Sequence, residues 1–280
     1  MTLVAVTGAS GKAGRAVVRD LLEHGYEVRA IDIAPAPANL GVDVLIADLT
    51  DYGQAVQSLD GCDTVVHLAN IPAPGRKPDA VTFNTNITMN YAVFTAAVHL
   101  RADRVVWASS ETTLGLPFDT PPRYAPIDEA HYPYPTTAYA LSKVASETIA
   151  EQIADWSGLP FIALRLSNIH AVPDYAKVPG YWADPRSRRW NAWGYIDERD
   201  VALACRLALT ADVTGAVALI IAAADTIMDR PSADLLAEVY PQTEVRKQLS
   251  TYETLLSIDK AREVLGFEPQ HSWRDEVKPA

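Results

Sequence analysis

The sequence predicts an α/β protein built on a doubly wound parallel sheet, and three observations lead there. Short β-branched apolar runs alternate with longer segments of helical period over the first two-thirds of the chain, the rhythm of strands joined by crossover helices. The runs are continuously apolar, as strands buried on both faces must be. A glycine-rich turn joins the first run to the first helical segment, at the sheet edge where ligands bind in such folds.

In chain order, strands are expected at 3–7, 27–31, 42–47, 64–68, 104–109 and 161–166, with helices over 12–24, 52–58, 81–100 and 137–158 between them. Residues 34–38 read as an Ala/Pro loop. From Asn168 the rhythm breaks among Pro173, Pro179 and Pro185 and the aromatic residues Tyr175, Tyr181, Trp182, Trp190, Trp193 and Tyr195. Order returns with a helix over 197–209, a strand over 217–222 and a last helix over 258–265. Two units are expected: 1–167, which carries the sheet and the chemistry, and a small C-terminal substrate-binding lobe, 168–280, whose segment 195–225 returns to the main sheet.

A chain of 280 residues can bury a full α/β core, and 49% apolar with 21% charged residues excludes disordered and collagen-like classes. A net charge of −11 without a basic stripe argues against nucleic acid as partner. The longest apolar runs fall well short of the roughly 20 residues of a membrane span. Met1 leads straight into the first strand with no basic leader, so a cytoplasmic protein with no membrane contact is expected. Cys62 and Cys205 form neither a disulfide framework nor a metal-binding pair and read as small buried hydrophobes, and no metal site is expected.

The turn Thr7-Gly8-Ala9-Ser10-Gly11-Lys12-Ala13-Gly14 sets three glycines between a strand and a helix. They allow the tight turn, close approach of backbone to a pyrophosphate, and close helix-to-strand packing, while the helix start aims free N–H groups at phosphate. This is the Rossmann-type arrangement for a dinucleotide. Ser10, Lys12 and Arg15 are candidates for added contacts. Asp32, ending the second strand, can accept bonds from the adenosine ribose hydroxyls and would repel a 2′-phosphate, which favours NAD over NADP; it can also simply cap the next turn. Asp48-Leu49 is expected near the adenine. Leu68-Ala69-Asn70 is expected where the cofactor passes the fourth strand, although Asn70 also suits a plain turn.

Tyr139 and Lys143 lie four residues apart, hence on one face of a helix. A phenol titrating near 10 is a poor proton shuttle at neutral pH, and a neighbouring ammonium is expected to draw it toward the working range. Ser110, closing the fifth strand, can orient a substrate oxygen against Tyr139, which completes a catalytic trio of Ser110, Tyr139 and Lys143.

With these motifs in hand, the chain resembles the extended short-chain dehydrogenase/reductases of the NAD-dependent epimerase/dehydratase family over nearly its whole length. The glycine turn matches TGxxGxxG, Asp48-Leu49 the acidic-aliphatic adenine motif, His67-Leu68-Ala69 the HxA segment, and Tyr139 with Lys143 the YxxxK pair. Ser109-Ser110 through Gly115 is similar to SSxxxYG, with Leu114 in place of the usual tyrosine. Leu164 through Asn168 is similar to LRxxN, followed by Ile169-His170-Ala171 where a Gly-Pro turn is usual. The resemblance implies that Asn86 serves the catalytic lysine through water, that Ser109 lies beside the cofactor, and that Tyr139 and Lys143 also touch it. It further implies a substrate site of Ser110, Glu111 and Asn168.

The Arg186, Arg188, Arg189, Trp190 and Trp193 stretch resembles that of uronate dehydrogenases, so Arg189 is expected on a substrate carboxylate or phosphate; a solvated basic loop is the other reading. The implied activity is NAD-dependent oxidation or reduction of a sugar or sugar acid. A nucleotide-sugar epimerase is the alternative, and a non-catalytic NAD(P) sensor one of a different class. A dehydratase is disfavoured because Ser110 is followed by Glu111-Thr112 and not by an Asp-Glu pair. A homodimer through the helices over 81–100 and 137–158 is implied as well.

Overall fold

A computed structural model describes residues 2–35, 39–118 and 120–277; Ala36, Pro37 and Ala38 of the expected Ala/Pro loop lie outside the described residues. In chain order the elements are β1 (Leu3–Thr7), α1 (Lys12–Glu23), β2 (Glu27–Asp32), β3 (Val44–Ile46), α2 (Tyr52–Leu59), β4 (Thr64–His67), α3 (Asp79–His99) and β5 (Arg104–Ser110). There follow β6 (Tyr124–Ala125), α4 (Ala138–Ser157), β7 (Phe161–Leu166), β8 (Ile169–His170), β9 (Ile196–Asp197) and α5 (Glu198–Ala208). The chain closes with β10 (Ala216–Ile221), α6 (Ser232–Val239), β11 (Glu244–Val245), α7 (Asp259–Leu265) and α8 (Trp273–Glu276).

Seven strands form one sheet in the order β10-β7-β5-β4-β1-β2-β3, every pairing parallel. The chain winds outward from β1 in one direction and from β4 in the other, so the switch point lies between these two strands. Register brings Thr7 opposite both Ile31 and His67, and Ser110 opposite Leu166, which aligns the carboxyl ends of five strands along one edge.

Each face of the sheet is covered. On one side Val17, Val18 and Leu21 of α1 meet Val201, Ala204 and Cys205 of α5. On the other, Phe94 of α3 packs edge-on against Trp107 and Phe161 at 5.2 and 5.1 Å between ring centres. Burying such rings contributes about 1.5–3 kcal/mol each, with roughly another 0.5–1.5 from the aromatic geometry. A third core around Trp193, Tyr195, Leu255, Leu256 and Trp273 also takes in Leu114, Leu116 and Ile127, so it draws on chain from before residue 168. Cys62 and Cys205 are free and buried, and burial pushes both thiols up. Among the described residues no helix is long and apolar enough to cross a membrane.

Helix α4 carries the catalytic candidates, and its start is well defined. Thr137 caps it by accepting from the Ala140 N–H at 3.1 Å, and Gly158 ends it in the left-handed region at φ 75°. Tyr139 and Lys143 therefore sit in the first two turns, where fraying is stopped by the cap.

Candidate active site

The dinucleotide side is built almost entirely from backbone. Gly8 turns at φ +69°, and a Cβ on it would stand 2.7 Å from the Ala69 nitrogen, so only glycine lets the exits of β1 and β4 pass this closely. A Cβ on Gly14 would fall 2.0 Å from the Gly8 carbonyl oxygen, which seats α1 directly on the turn. Gly11 caps α1 with no side-chain acceptor and no acidic residue in the first turn, which leaves the leading N–H groups and positive dipole end suited to an anion. Ala13 packs on the sheet core.

Asp32 shapes the turn as well as ending β2: its carboxylate accepts from the Ser10 N–H at 2.9 Å and the Ala34 N–H at 3.1 Å. The Ser10 hydroxyl donates to the Ala34 carbonyl at 2.8 Å. Lys12 departs from expectation. Its ammonium donates to the Ile169 carbonyl at 3.1 Å and to Asp174 at 2.5 Å, because the first residue of α1 projects across to the chain after β7. Asp48 turns its carboxylate onto the Thr50 N–H and hydroxyl at 3.0 and 2.7 Å, which hold it below the usual range, while Leu49 is buried in the core. Beyond Leu68 and Ala69, both polar atoms of the Asn70 amide are buried without a protein partner. Buried amides are rarely left so, and this orphan, beside a glycine turn and an uncapped helix start, fits a dinucleotide that supplies the missing bonds.

Asn86 accepts from the Ile71 N–H at 2.9 Å, donates to the Ile71 carbonyl at 3.2 Å and reaches Ser142 Oγ at 3.4 Å, so it clamps the loop after β4. The Ser109 hydroxyl points away from the crevice and donates to Glu147 at 2.5 Å, since neighbours on a strand face opposite ways. A buried polar chain behind the site escaped the sequence reading, which took His67 only as part of a motif. Asn90 donates through Nδ2 to Ser146 at 2.7 Å, leaving its oxygen to accept from His67 Nε2 at 2.9 Å. His67 Nδ1 then accepts from the Thr7 hydroxyl at 2.6 Å. Burial holds His67 down at about 3, so it stays neutral while linking β1, β4, α3 and α4.

The structure does bring Ser110, Tyr139 and Lys143 together. Ser110 stands beside the Tyr139 phenol, its hydroxyl accepting from the Thr112 N–H and hydroxyl at 3.2 and 3.0 Å, and Lys143 Nζ lies 5.7 Å from the centre of the Tyr139 ring. Lys143 is 1% exposed and donates to the Ala108 carbonyl at 2.6 Å. The expected lowering of the phenol does not occur. Burial pushes Tyr139 up to about 12, with the neighbouring Ser110 hydroxyl opposing and the charge of Glu111 adding. Burial likewise pushes Lys143 down to about 7. The reason is common to both: desolvation disfavours each charged form, and the amine bonds a strand carbonyl instead of the phenol.

Opposite Tyr139 lies a wall of buried polar groups. Glu111 accepts from Ser167 Oγ at 2.5 Å and from Asn191 Nδ2 at 3.3 Å, and burial raises it to about 7. Arg188, buried, donates to Asn168 Oδ1 at 3.2 Å with its cation near the Tyr181 and Trp190 rings, and its Nε lacks a partner. Arg189, the residue expected here, lies on the other side of the 3₁₀ turn Pro185–Asn191 and takes part through its carbonyl, which accepts from Tyr240 at 2.8 Å. Pro185, Arg188 and Asn191 recur every third residue and form its buried face. The three-residue period was the available signal for Arg188 and Asn191.

Fold and site together define a dinucleotide-binding α/β protein with an oxidoreductase-like Ser-Tyr-Lys trio where the end of β5 meets α4. The model of the NAD-dependent epimerase/dehydratase family matches residues 4–180, more than half of the chain, and the protein belongs to that family, so NAD is its cofactor. It is 29% identical over 200 residues to an NAD-dependent glucose-6-phosphate dehydrogenase of Haloferax volcanii, across 65% of this chain and 76% of that one. To an L-arabinose 1-dehydrogenase (NAD(P)(+)) of the same organism it is 32% identical, across 59% of this chain and 66% of that one. A short-chain dehydrogenase/reductase superfamily protein from Agrobacterium tumefaciens with bound NAD superposes with a TM-score of 0.75 at 20% identity, covering 98% of this chain and 94% of that chain. A mutated uronate dehydrogenase gives 0.70 at 22%, covering 99% and 85%. At such identity the structural likeness concerns the fold.

Proposed function

We propose that the protein is an NAD-dependent dehydrogenase that oxidises a hydroxyl, or reduces the matching carbonyl, of a small free sugar or sugar acid. The observation that carries this reading is the gathering of two sets of groups: Ser110, Tyr139 and Lys143 on one side, and on the other the buried Glu111, Arg188 and Asn191 with the half-buried Asn168. Gly8, Gly11, Gly14, Asp32 and Asn70 would hold the dinucleotide, which supplies hydride transfer at its nicotinamide when bound. Tyr139, kept protonated by burial, is a ready donor of its proton to a carbonyl oxygen as hydride reaches the carbon; in the reverse direction its phenolate, formed once that proton has been released to solvent, takes the alcohol proton as hydride leaves carbon. Ser110 orients that oxygen and Lys143 holds positive charge beneath it. The wall, with its amide, carboxyl and guanidinium groups, suits the hydroxyls of a sugar and one acidic group.

The sugar dehydrogenases among the relatives support this reading, and a UDP-glucose 4-epimerase of Lacticaseibacillus casei, 29% identical over 180 residues, supports a nucleotide-sugar epimerase as second reading. A homodimer is part of the proposal: α3 and α4 pack on each other and leave Tyr91 and Trp156 56% and 64% exposed. The test is absorbance at 340 nm with NAD against aldoses, sugar phosphates, uronates and UDP-sugars. Net NADH formation with a free sugar is expected. Interconversion of UDP-sugars without net NADH would replace the dehydrogenase by the epimerase, and NADH binding without turnover on any of them would leave a sensor.

A further inference from the structure

Three consecutive residues of β5 meet three residues of α4 spaced one turn apart. Ser110 stands beside the Tyr139 phenol, the Ala108 carbonyl accepts from Lys143 at 2.6 Å, and the Ser109 hydroxyl donates to Glu147 Oε1 at 2.5 Å. The first two contacts belong to the proposed chemistry, and the third has no part in it. Glu147 is also gripped by Arg165 of β7, the residue in register with Ser109: Nε donates to Oε1 at 3.0 Å and Nη2 to Oε2 at 2.8 Å. Arg165 is buried and Glu147 nearly so, their side chains 9% and 12% exposed. A buried pair of this kind contributes little net stability over apolar residues of similar volume, so its value lies in what it positions.

We propose that Glu147, held by Arg165 and Ser109, is a positioning residue that sets the register of α4 on β5 and keeps negative charge one turn behind Lys143, sustaining a buried ammonium beside Tyr139. The inference rests on the Tyr139–Lys143 reading above. Lys143 is faced by Tyr139 and Glu147 from α4, by His67 from β4 and by the Trp107 ring at 5.9 Å, with Glu111 beyond Tyr139. Glu151 of α4 and Glu129, in the chain before α4, act with Glu147 on Arg165, so carboxylates outnumber the guanidinium there. His67 is neutral, and Glu147 is the group that opposes the downward push of burial on Lys143.

The test compares wild type, Glu147→Gln and Glu147→Asp by kcat against pH, and by Tm against pH without substrate. Loss of the carboxylate is expected to lower kcat about tenfold at pH 8 and to move the alkaline limb down by about one pH unit, with Asp restoring most of both. The melting arm is independent of turnover. The folded Lys143 titrates below its unfolded value of 10.5, so stability rises with pH between the two values, and in Glu147→Gln that rise starts about one unit lower. A lower Tm with an unmoved limb and an unmoved rise would make Glu147 a packing residue and overturn the proposal. If Glu147→Gln does not fold, Ser109→Ala decides: a kcat reduced about threefold with the limb in place supports the register role, and unchanged kcat overturns it. Absence of turnover in the wild type would sink the dehydrogenase reading, while the melting arm still judges Glu147.

Discussion

The two walls of the crevice are built in opposite ways. The dinucleotide wall comes from one β–α turn: Gly8, Gly11 and Gly14 lie within seven residues, and their geometry is set by their own lack of Cβ atoms. The wall proposed for substrate gathers Glu111 after β5, Ser167 and Asn168 after β7, and Arg188 and Asn191 from a 3₁₀ turn, all converging across the sheet edge. A wall made of backbone tolerates few substitutions but is legible locally. A wall made of distant side chains depends on which face each segment turns inward.

The sharpest way to break the comparison is Gly14→Ala. With the new methyl carbon 2.0 Å from the Gly8 oxygen, α1 must leave the turn, and a loss of at least about 3 kcal/mol together with NADH binding is expected in denaturant titration and fluorescence. Retained NADH affinity would show that the turn is softer than its contacts imply. Next in size is Tyr139→Phe, expected to lower kcat by roughly 10²–10⁴ while NADH affinity holds, since the phenol moves a proton and the glycine turn holds the dinucleotide. Unchanged turnover would remove Tyr139 from the chemistry.

On the substrate wall, Arg188→Met should raise KM for the sugar by about tenfold or more, equivalent to about 1.4 kcal/mol, whereas Arg189→Met should change it less than about twofold. Equal effects would mean that the inward face of the 3₁₀ turn does not govern recognition. The smallest effect sharpens the picture of that wall. Glu111 titrates at about 7 in the fold and at 4.5 when free, so the folded form binds the extra proton and stability declines as pH rises between those values. Glu111→Gln should remove a decline on the order of 1 kcal/mol, visible as a flatter Tm between pH 4.5 and 7. An unaltered slope would place the titration elsewhere.

The same division accounts for what could be read in advance. Lys12 was expected at the phosphates because it sits in the turn, yet its long side chain finds Asp174, 162 residues further along. Ser109 and Ser110 were both expected at the crevice, and strand alternation admits only Ser110. Arg189 was expected to face substrate, and the three-residue period of the 3₁₀ turn buries Arg188 there instead.

By itself the sequence determined the parallel sheet, the glycine turn, the capped α4 and the one-turn spacing of Tyr139 and Lys143, because apolar periodicity, absent side chains and local caps act over a few residues. Tertiary structure alone decided the partner of Lys12, the inward turn of Arg188 and Asn191, the Ser109–Glu147–Arg165 clamp and the raised Tyr139. Each of these depends on desolvation and on contacts between segments far apart in the chain, and desolvation exists only once the core has closed.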